Sequence, residues 1–457
     1  MPFLAALAVA TLTSFAVAVP QGAGASEQGK SGLLTPAERT HLRDKLTKYM
    51  TEDATYSLAT GKDRDKARKA RDKAKENFED EWRKAEKKGN LMASMPDIRD
   101  IFENCFVSKA PTKTLGQIWN DKNKQTGLEH SWYLPKSYKP SVPHAAIMVL
   151  PGRSAAAAGA PFMKASDYFA ATWDKSAASA DTIFHLPNPP VGLEFDPVPD
   201  FSREAEDKEE TRRIDWMWQT YAETFNANNI HRGKLFLDCG RGNCAFGVRF
   251  VSMFPDRFAG VILREPTAVD GIRLGSLLGV PFLLLKSASN AAACDAVKAA
   301  IEAVSPGAVT VIDVTGEAPY KDATPMIEEW LKGKRRTPTP TKVVIEPNHE
   351  KYNRAYWVRI TVADQLASAA PDKKPRVEIV ADRAANRITA KTVGVEQFLI
   401  YLNDDLVDLS KEFTLVVNDK AITEKKSRQF RDMCENAIVR NDWEFLYPVK
   451  YNVNVVK

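Results

Sequence analysis

Between residues 145 and 314 the chain repeats one unit: a short apolar run, a turn, then a stretch with helical patterning. The runs are AAIMVLPG (145–152), DTIFHLP (181–187), LFLD (235–238), AGVILRE (259–265), PFLLLK (281–286) and AVTVIDV (308–314). Each is too short for a buried helix, and most are apolar along most of their length instead of on alternate residues. A strand with that pattern is covered on both faces. The stretches between them, such as DYFAATWDK, DAVKAAIEAV and TPMIEEWLKG, carry one apolar stripe, and Ile214, Trp218, Tyr221 and Phe225 share one helical face. Short apolar strands alternating with amphipathic helices predict a mostly parallel sheet flanked by helices. HSWYLPKSY (130–138) reads as an edge strand of that sheet, and the α/β region spans 113–333.

The flanks read differently. Thr35, Pro36 and Glu38 form an N-cap, a first-turn proline and a capping-box glutamate, opening a helical region over 35–110. Within it Ala67, Ala70, Ala74, Phe78, Trp82 and Ala85 recur at helical spacing among interleaved charges. That pattern predicts a helical hairpin packed on the main domain, its Lys/Arg run being a solvated face. After the proline-punctuated linker 334–341, residues 342–457 carry β-branched and aromatic runs separated by turns. YWVRITV, RVEIVAD, NRITAKT, QFLIYLN and FTLVVND predict an antiparallel β-sandwich.

A chain of 457 residues with 44% apolar and 27% charged residues is a folded protein of two or three domains. A net charge of +5 is too small at this length to favour nucleic acid. The five cysteines form no C-x-x-C pair or Cys/His cluster, so neither a metal site nor a cofactor is expected. Whether Cys239 and Cys244 pair is left open. Residues 1–25, MPFLAALAVATLTSFAVAVPQGAGA, read as a signal peptide with cleavage motifs Ala23-Gly24-Ala25 and Ala16-Val17-Ala18. The expected location is secreted or periplasmic. The alternative is an uncleaved membrane anchor, since the run approaches the ~17 residues a short span needs.

LFLDCGRGNCAFG (235–247) places a sharp glycine turn between a strand and a helix. With HSWYLPKSYKPSVPHAAIMVLPG and NNIHRGKLFLDCGRGNCAFGVRFVSMFPDRFAGVIL, it makes residues 120–333 resemble the α/β-hydrolase superfamily, especially its prolyl-oligopeptidase-like and esterase-D-like members. The C-terminal stretches EKYNRAYWVRI, YLNDDLVDL and LVVNDK resemble a β-domain appended to some secreted hydrolases. The resemblance implies a Ser-Asp-His triad at three strand ends, with the serine at the apex of the elbow. This sequence has Gly242 at that apex, Asn290 after PFLLL where the acid belongs, and Glu317 nearest the histidine position. No histidine lies between His231 and His349.

Three substitutes for the triad are open to the chain. Cys244 or Cys239 as a thiol nucleophile is offset from the apex. His130, His144 or His185 would have to reach in from the other half of the sheet, His185 from a strand end. Glu265, Asp238 and Glu317 would form an acid/base site, or, with Arg264, Arg241 and Arg153, an ion-pair network or anion site. The oxyanion loop is LPGRSAAAAGAP (150–161), where Gly152 keeps the turn and Ala155 to Ala158 carry no polar groups. Gly152, Arg153, Arg241, Asn243, Cys244, Glu265 and His185 are the candidate pocket residues. The expectation is a catalytically inactive relative that binds a small molecule, glycan or protein. The rivals are an esterase or peptidase with a non-standard site, and a glycan- or protein-binding sandwich presenting Tyr352, Tyr356, Trp357 and Trp443.

Overall fold

The protein is seen here in a computed structural model that describes residues 32–103, 105, 114–122, 127, 129–157, 159–188, 204–366 and 369–455. The apolar segment 1–25 lies outside the described residues, as does Ala158. No helix among the described residues is long and apolar enough to cross a membrane.

The centre is a mostly parallel sheet, eight-stranded among the described residues. Its strands are β1 (Ile118–Lys122), β2 (Glu129–Tyr133), β3 (His144–Leu150), β4 (Ile183–Pro187), β5 (Ile230–Cys239), β6 (Gly260–Leu263), β7 (Phe282–Lys286) and β8 (Val309–Asp313). They lie in the order β1-β2-β4-β3-β5-β6-β7-β8. Pairing is antiparallel from β1 through β2 to β4 and parallel from β4 onward. The segment read as an edge strand is therefore one place in from the edge, since β1, just before it, covers its free side.

Two apolar layers sandwich this sheet. Leu235, Leu237 and Cys239 face one layer with α5 (Glu204–Ala227), α6 (Cys244–Met253) and α7 (Ala291–Val304). Phe236, Ile262 and Leu283 face the other, with α4 (Ala165–Thr172) and α8 (Thr324–Leu331). The alternation follows the two-residue period of a strand, and it explains why the runs are apolar throughout.

In the C-terminal region, β9 (Lys342–Ile345), β12 (Arg376–Asp382), β13 (Arg387–Val393), β15 (Phe413–Val417) and β16 (Lys420–Glu424) make one sheet. A second holds β10 (Arg354–Ala355), β11 (Val358–Ala363), β14 (Val395–Leu402) and β17 (Val449–Asn454). Ile379, Ile388 and Leu415 from the first meet Ile360, Phe398 and Val453 from the second in one core. Two features differ from the sequence reading. The β13–β15 pair is parallel, because β14 crosses to the other sheet between them. A helix, α9 (Phe430–Arg440), also interrupts the all-β pattern.

That helix redirects the N-terminal element. The helices α1 (Pro36–Leu58), α2 (Gly61–Glu86) and α3 (Met95–Glu103) form where expected. Glu38 N donates to Thr35 Oγ1 at 3.3 Å, and Thr35 N donates back to Glu38 Oε2 at 3.0 Å. The apolar stripe of α2 does not pack on the central sheet. Phe78 and Trp82 are buried against Phe430, Met433, Cys434 and Ala437 of α9, with Trp443 and Leu446. Trp82 stacks on Phe430 with ring centroids 4.3 Å apart. The missing partner surface explains the difference: both faces of the central sheet are already covered.

A buried ionic network joins the central region to the C-terminal one. The Arg336 guanidinium donates to both Asp442 carboxylate oxygens at 2.7 and 3.1 Å and to the Asp256 carbonyl at 2.7 Å. Asp256 accepts from Arg440 and, at 2.9 Å, from the Tyr356 backbone N–H. Arg257 donates to the Arg440 carbonyl at 3.0 Å. Burial works to raise the Asp442 pKa, but Arg336 and its cationic neighbours outweigh it and hold the carboxyl at about 2.

Candidate functional site: the turn after the fifth strand

Chain direction across the sheet reverses next to β3. From β3 the chain runs through α4 to β4 on one side, then α5 carries it back past β3 to β5. The helices that follow β3 and β5 pack on opposite faces, so the loops at those two strand ends diverge. Such a switch point is where open α/β sheets bind ligands. The two loops here are Pro151–Lys164 and Gly240–Asn243.

Their backbones are in contact. A Cβ on Gly240 would lie 2.4 Å from the Gly152 nitrogen, and one on Gly152 would lie 2.6 Å from the Arg241 nitrogen. Arg153 N donates to the Arg241 carbonyl at 2.9 Å, and Asn243 Nδ2 donates to the Pro151 carbonyl at 2.6 Å. Gly242 has φ +84°, a left-handed conformation that glycine adopts without steric penalty. The elbow geometry is therefore intact, with no side chain at its tip.

The space beyond the tip is occupied. A Cβ built on Gly242 would sit 3.0 to 3.2 Å from Nε, Cδ and Cγ of Arg153. Arg153 is held there by a 2.8 Å bond from Nη1 to the Ala160 carbonyl and by stacking on Phe162, 4.4 Å from guanidinium carbon to ring centroid. An arginine thus lies where any side chain at position 242 would project.

Of the other two expected positions, Asn290 is committed and Glu317 is not. Asn290 caps the loop before α7: its Oδ1 accepts from Ser287 N at 2.8 Å, and its Nδ2 donates to the Leu285 carbonyl at 3.1 Å. Glu317 is exposed, in the loop leading to Tyr320. The histidines have other work. His144 Nδ1 bonds the Asp181 carbonyl at 2.8 Å, and His231 accepts from Gly233 N at 3.1 Å. His185 sits in the middle of β4, not at its end, under α5 between Thr224 (3.1 Å) and Thr220 (3.4 Å). Burial, and then neighbouring His130, push its pKa well below 6.5. Their rings are 5.6 Å apart.

The carboxylates near the elbow are paired with arginines. Arg264 Nε lies 2.9 and 3.1 Å from the two oxygens of Asp238, which also accepts from Trp173 Nε1 at 2.7 Å. Arg264 and Asp238 are fully buried. Glu265 is ion-paired with Arg241 at the edge of the crevice. Cys239 and Cys244 are free, buried thiols, and the Cys239 Sγ fills the space beside Gly247. Burial pushes the Cys244 pKa up to about 12 and that of Cys239 well above its usual value. Neither forms thiolate at neutral pH, the state a cysteine nucleophile needs. Among the described residues no group of three or more His, Cys, Asp or Glu is placed to hold a metal ion.

Beside the filled elbow, at the same end of the sheet, lies an open cavity of about 610 Å³. Pro151, Phe162 and Met163 of the β3–α4 loop form one wall. The opposite side comes from β1, β2 and the residue after β4, where Ser131 Oγ donates to Asn120 Oδ1 at 2.7 Å and accepts from Asn188 Nδ2 at 3.2 Å. The sequence reading missed this side, because Asn120, Ser131 and Asn188 lie on segments with no recognisable motif. Conversely, the aromatic set proposed for the C-terminal region is not a surface: Tyr356, Trp357 and Trp443 are buried, and Tyr352 packs on Phe254 and His349.

No family model matches the chain, and no curated protein does. Solved structures similar to it are esterases and serine hydrolases. A ferulic acid esterase from Anaeromyces mucronatus aligns at 13% identity over 50% of this chain and 94% of its own, with a TM-score of 0.35. An S-formylglutathione hydrolase from Staphylococcus aureus aligns at 12% identity over 49% of this chain and 98% of its own, with a TM-score of 0.33. A thermostable esterase aligns at 17% identity over 48% of this chain with a TM-score of 0.33; the chain spans 63% of that esterase's length.

Proposed function

We propose that the chain is a hydrolase-type α/β protein that binds a ligand in the cavity beside the Gly242 turn, at the ends of β3 and β4, without hydrolysing it. The observation that carries this reading is the side chain of Arg153 packed on Gly242, where a nucleophile would stand. Asn290 bound into its own loop and an exposed Glu317 agree with it. Serine-type hydrolysis needs a nucleophile, a base and an acid that orients the base, and Gly242, Asn290 and Glu317 at the three expected positions support the reading that these are missing. The apolar segment 1–25 supports export, so the ligand or partner belongs outside the cytoplasm; the mass of the mature protein tests cleavage. For catalysis, the purified protein is incubated with activated esters, thioesters and short peptides. Background-level turnover is expected. Turnover that is lost in Arg153→Ala or Glu265→Gln would replace this reading with a non-standard hydrolase.

A further inference from the structure

We infer that the cavity beside the elbow takes a neutral sugar, the ring lying on Phe162 and its hydroxyls on Asn120 and Asn188. This rests on the non-hydrolytic binding reading above and names its ligand class.

Cavity size comes first. About 610 Å³ falls within the range of small-molecule sites, roughly 300–1,000 Å³. Such sites are usually lined mainly by apolar groups, whereas this one has an apolar wall only on the side of Pro151, Phe162 and Met163. A purely apolar ligand would leave the opposite, polar wall desolvated and unpaired, which is costly.

Charge then narrows the class. Among the described lining residues, Lys122 and Lys164 are matched in number by Asp121 and Glu129, and Lys122 is 3.5 Å from Glu129. A wall whose charges cancel selects neither an anion nor a cation.

The Ser131 relay supplies the positive argument. Because its hydroxyl donates to the Asn120 oxygen and accepts from the Asn188 nitrogen, both amides are held in one orientation. What remains for a ligand is the Asn120 N–H₂ as donor and the Asn188 carbonyl oxygen as acceptor. A hydroxyl both donates and accepts, so one diol edge satisfies the pair. A pyranose meets this need, with hydroxyls on its edge and C–H groups on its face. Phe162, braced on one face by Arg153, is the ring available on the apolar side.

The test uses the full-length protein with xylotriose, cellotriose, maltotriose and chitotriose as probes, followed by titration calorimetry. Saturable binding of at least one is expected below about 10 mM, weakened about tenfold or more in Phe162→Ala and in Asn120→Ala. Asn120 is exposed, so Asn120→Ala should keep the native thermal melt, and a loss of binding at an unchanged melt is not a folding defect. No saturable binding, binding unchanged in both variants, or saturable binding of a triglycine peptide in place of the sugars overturns the assignment. Ester turnover on the same preparation is scored separately. Turnover with sugar binding removes only the non-hydrolytic reading, and neither turnover nor binding removes only the sugar.

Discussion

At Gly242 two independent constraints keep a side chain out: a backbone angle of +84° and an arginine 3.0 Å from any Cβ. Gly242→Ser should therefore lose stability by about 1–3 kcal/mol, the cost of a non-glycine residue in a strained conformation. It should also leave ester turnover at background, since no base stands beside it; urea unfolding and the ester panel measure the two effects. His185 makes a second residue-scale prediction. Its folded pKa is well below 6.5, so below about pH 6.5 the unfolded chain takes up a proton that the folded one refuses. The stability tied to neutral His185 is complete above that pH and is lost as pH falls beneath it. Between pH 7.5 and 5.5 the urea midpoint should drop in the native protein and drop less in His185→Gln; an equal drop in both would assign the effect elsewhere. The sequence made Gly242, Asn290 and Glu317 legible as positions, because strand ends are legible. It could not show that Arg153 fills the tip, since that contact depends on how two loops diverge from neighbouring strands.

Elements were read most securely where periodicity was strong, as in β3 to β8 and in α2. They were misread where a partner surface decided the outcome. α2 carries the same stripe whether it covers the sheet or α9, and only the absence of a free sheet face decides between them. Trp82→Ala should cost about 3–5 kcal/mol, as large-to-small changes at buried aromatics do, by removing the stack on Phe430. Limited proteolysis should then cut first within α1 to α3. Cleavage that starts instead within the central sheet would mean that the helices are held by other contacts. α9 itself was hidden because FRDMCENAIVR is short and lies among strand-like runs.

For the whole molecule, the junction around Arg336 couples the central and C-terminal regions. Arg336→Leu leaves Asp442 and Glu444 buried with fewer partners, a change that costs about 3–5 kcal/mol when a buried pair is broken. Scanning calorimetry should show the variant's melt broadening or splitting in two, with the C-terminal region melting first; an unshifted single transition would show that the network is dispensable. None of this network was visible beforehand, because Asp256 and Arg257 lie within the stretch that carries the hydrolase resemblance and nothing there marks their partners. The N-terminal helices have an equally long reach. Arg99 on α3 meets Asp405 across 306 residues, and the apolar stripe of α2 is completed only by α9. At a synthesis rate of ~5–20 residues per second, α2 leaves the ribosome about 17–70 s before α9. During that interval Phe78 and Trp82 have only α1 and α3 as native cover, and the side that α9 will close stays open to other chains.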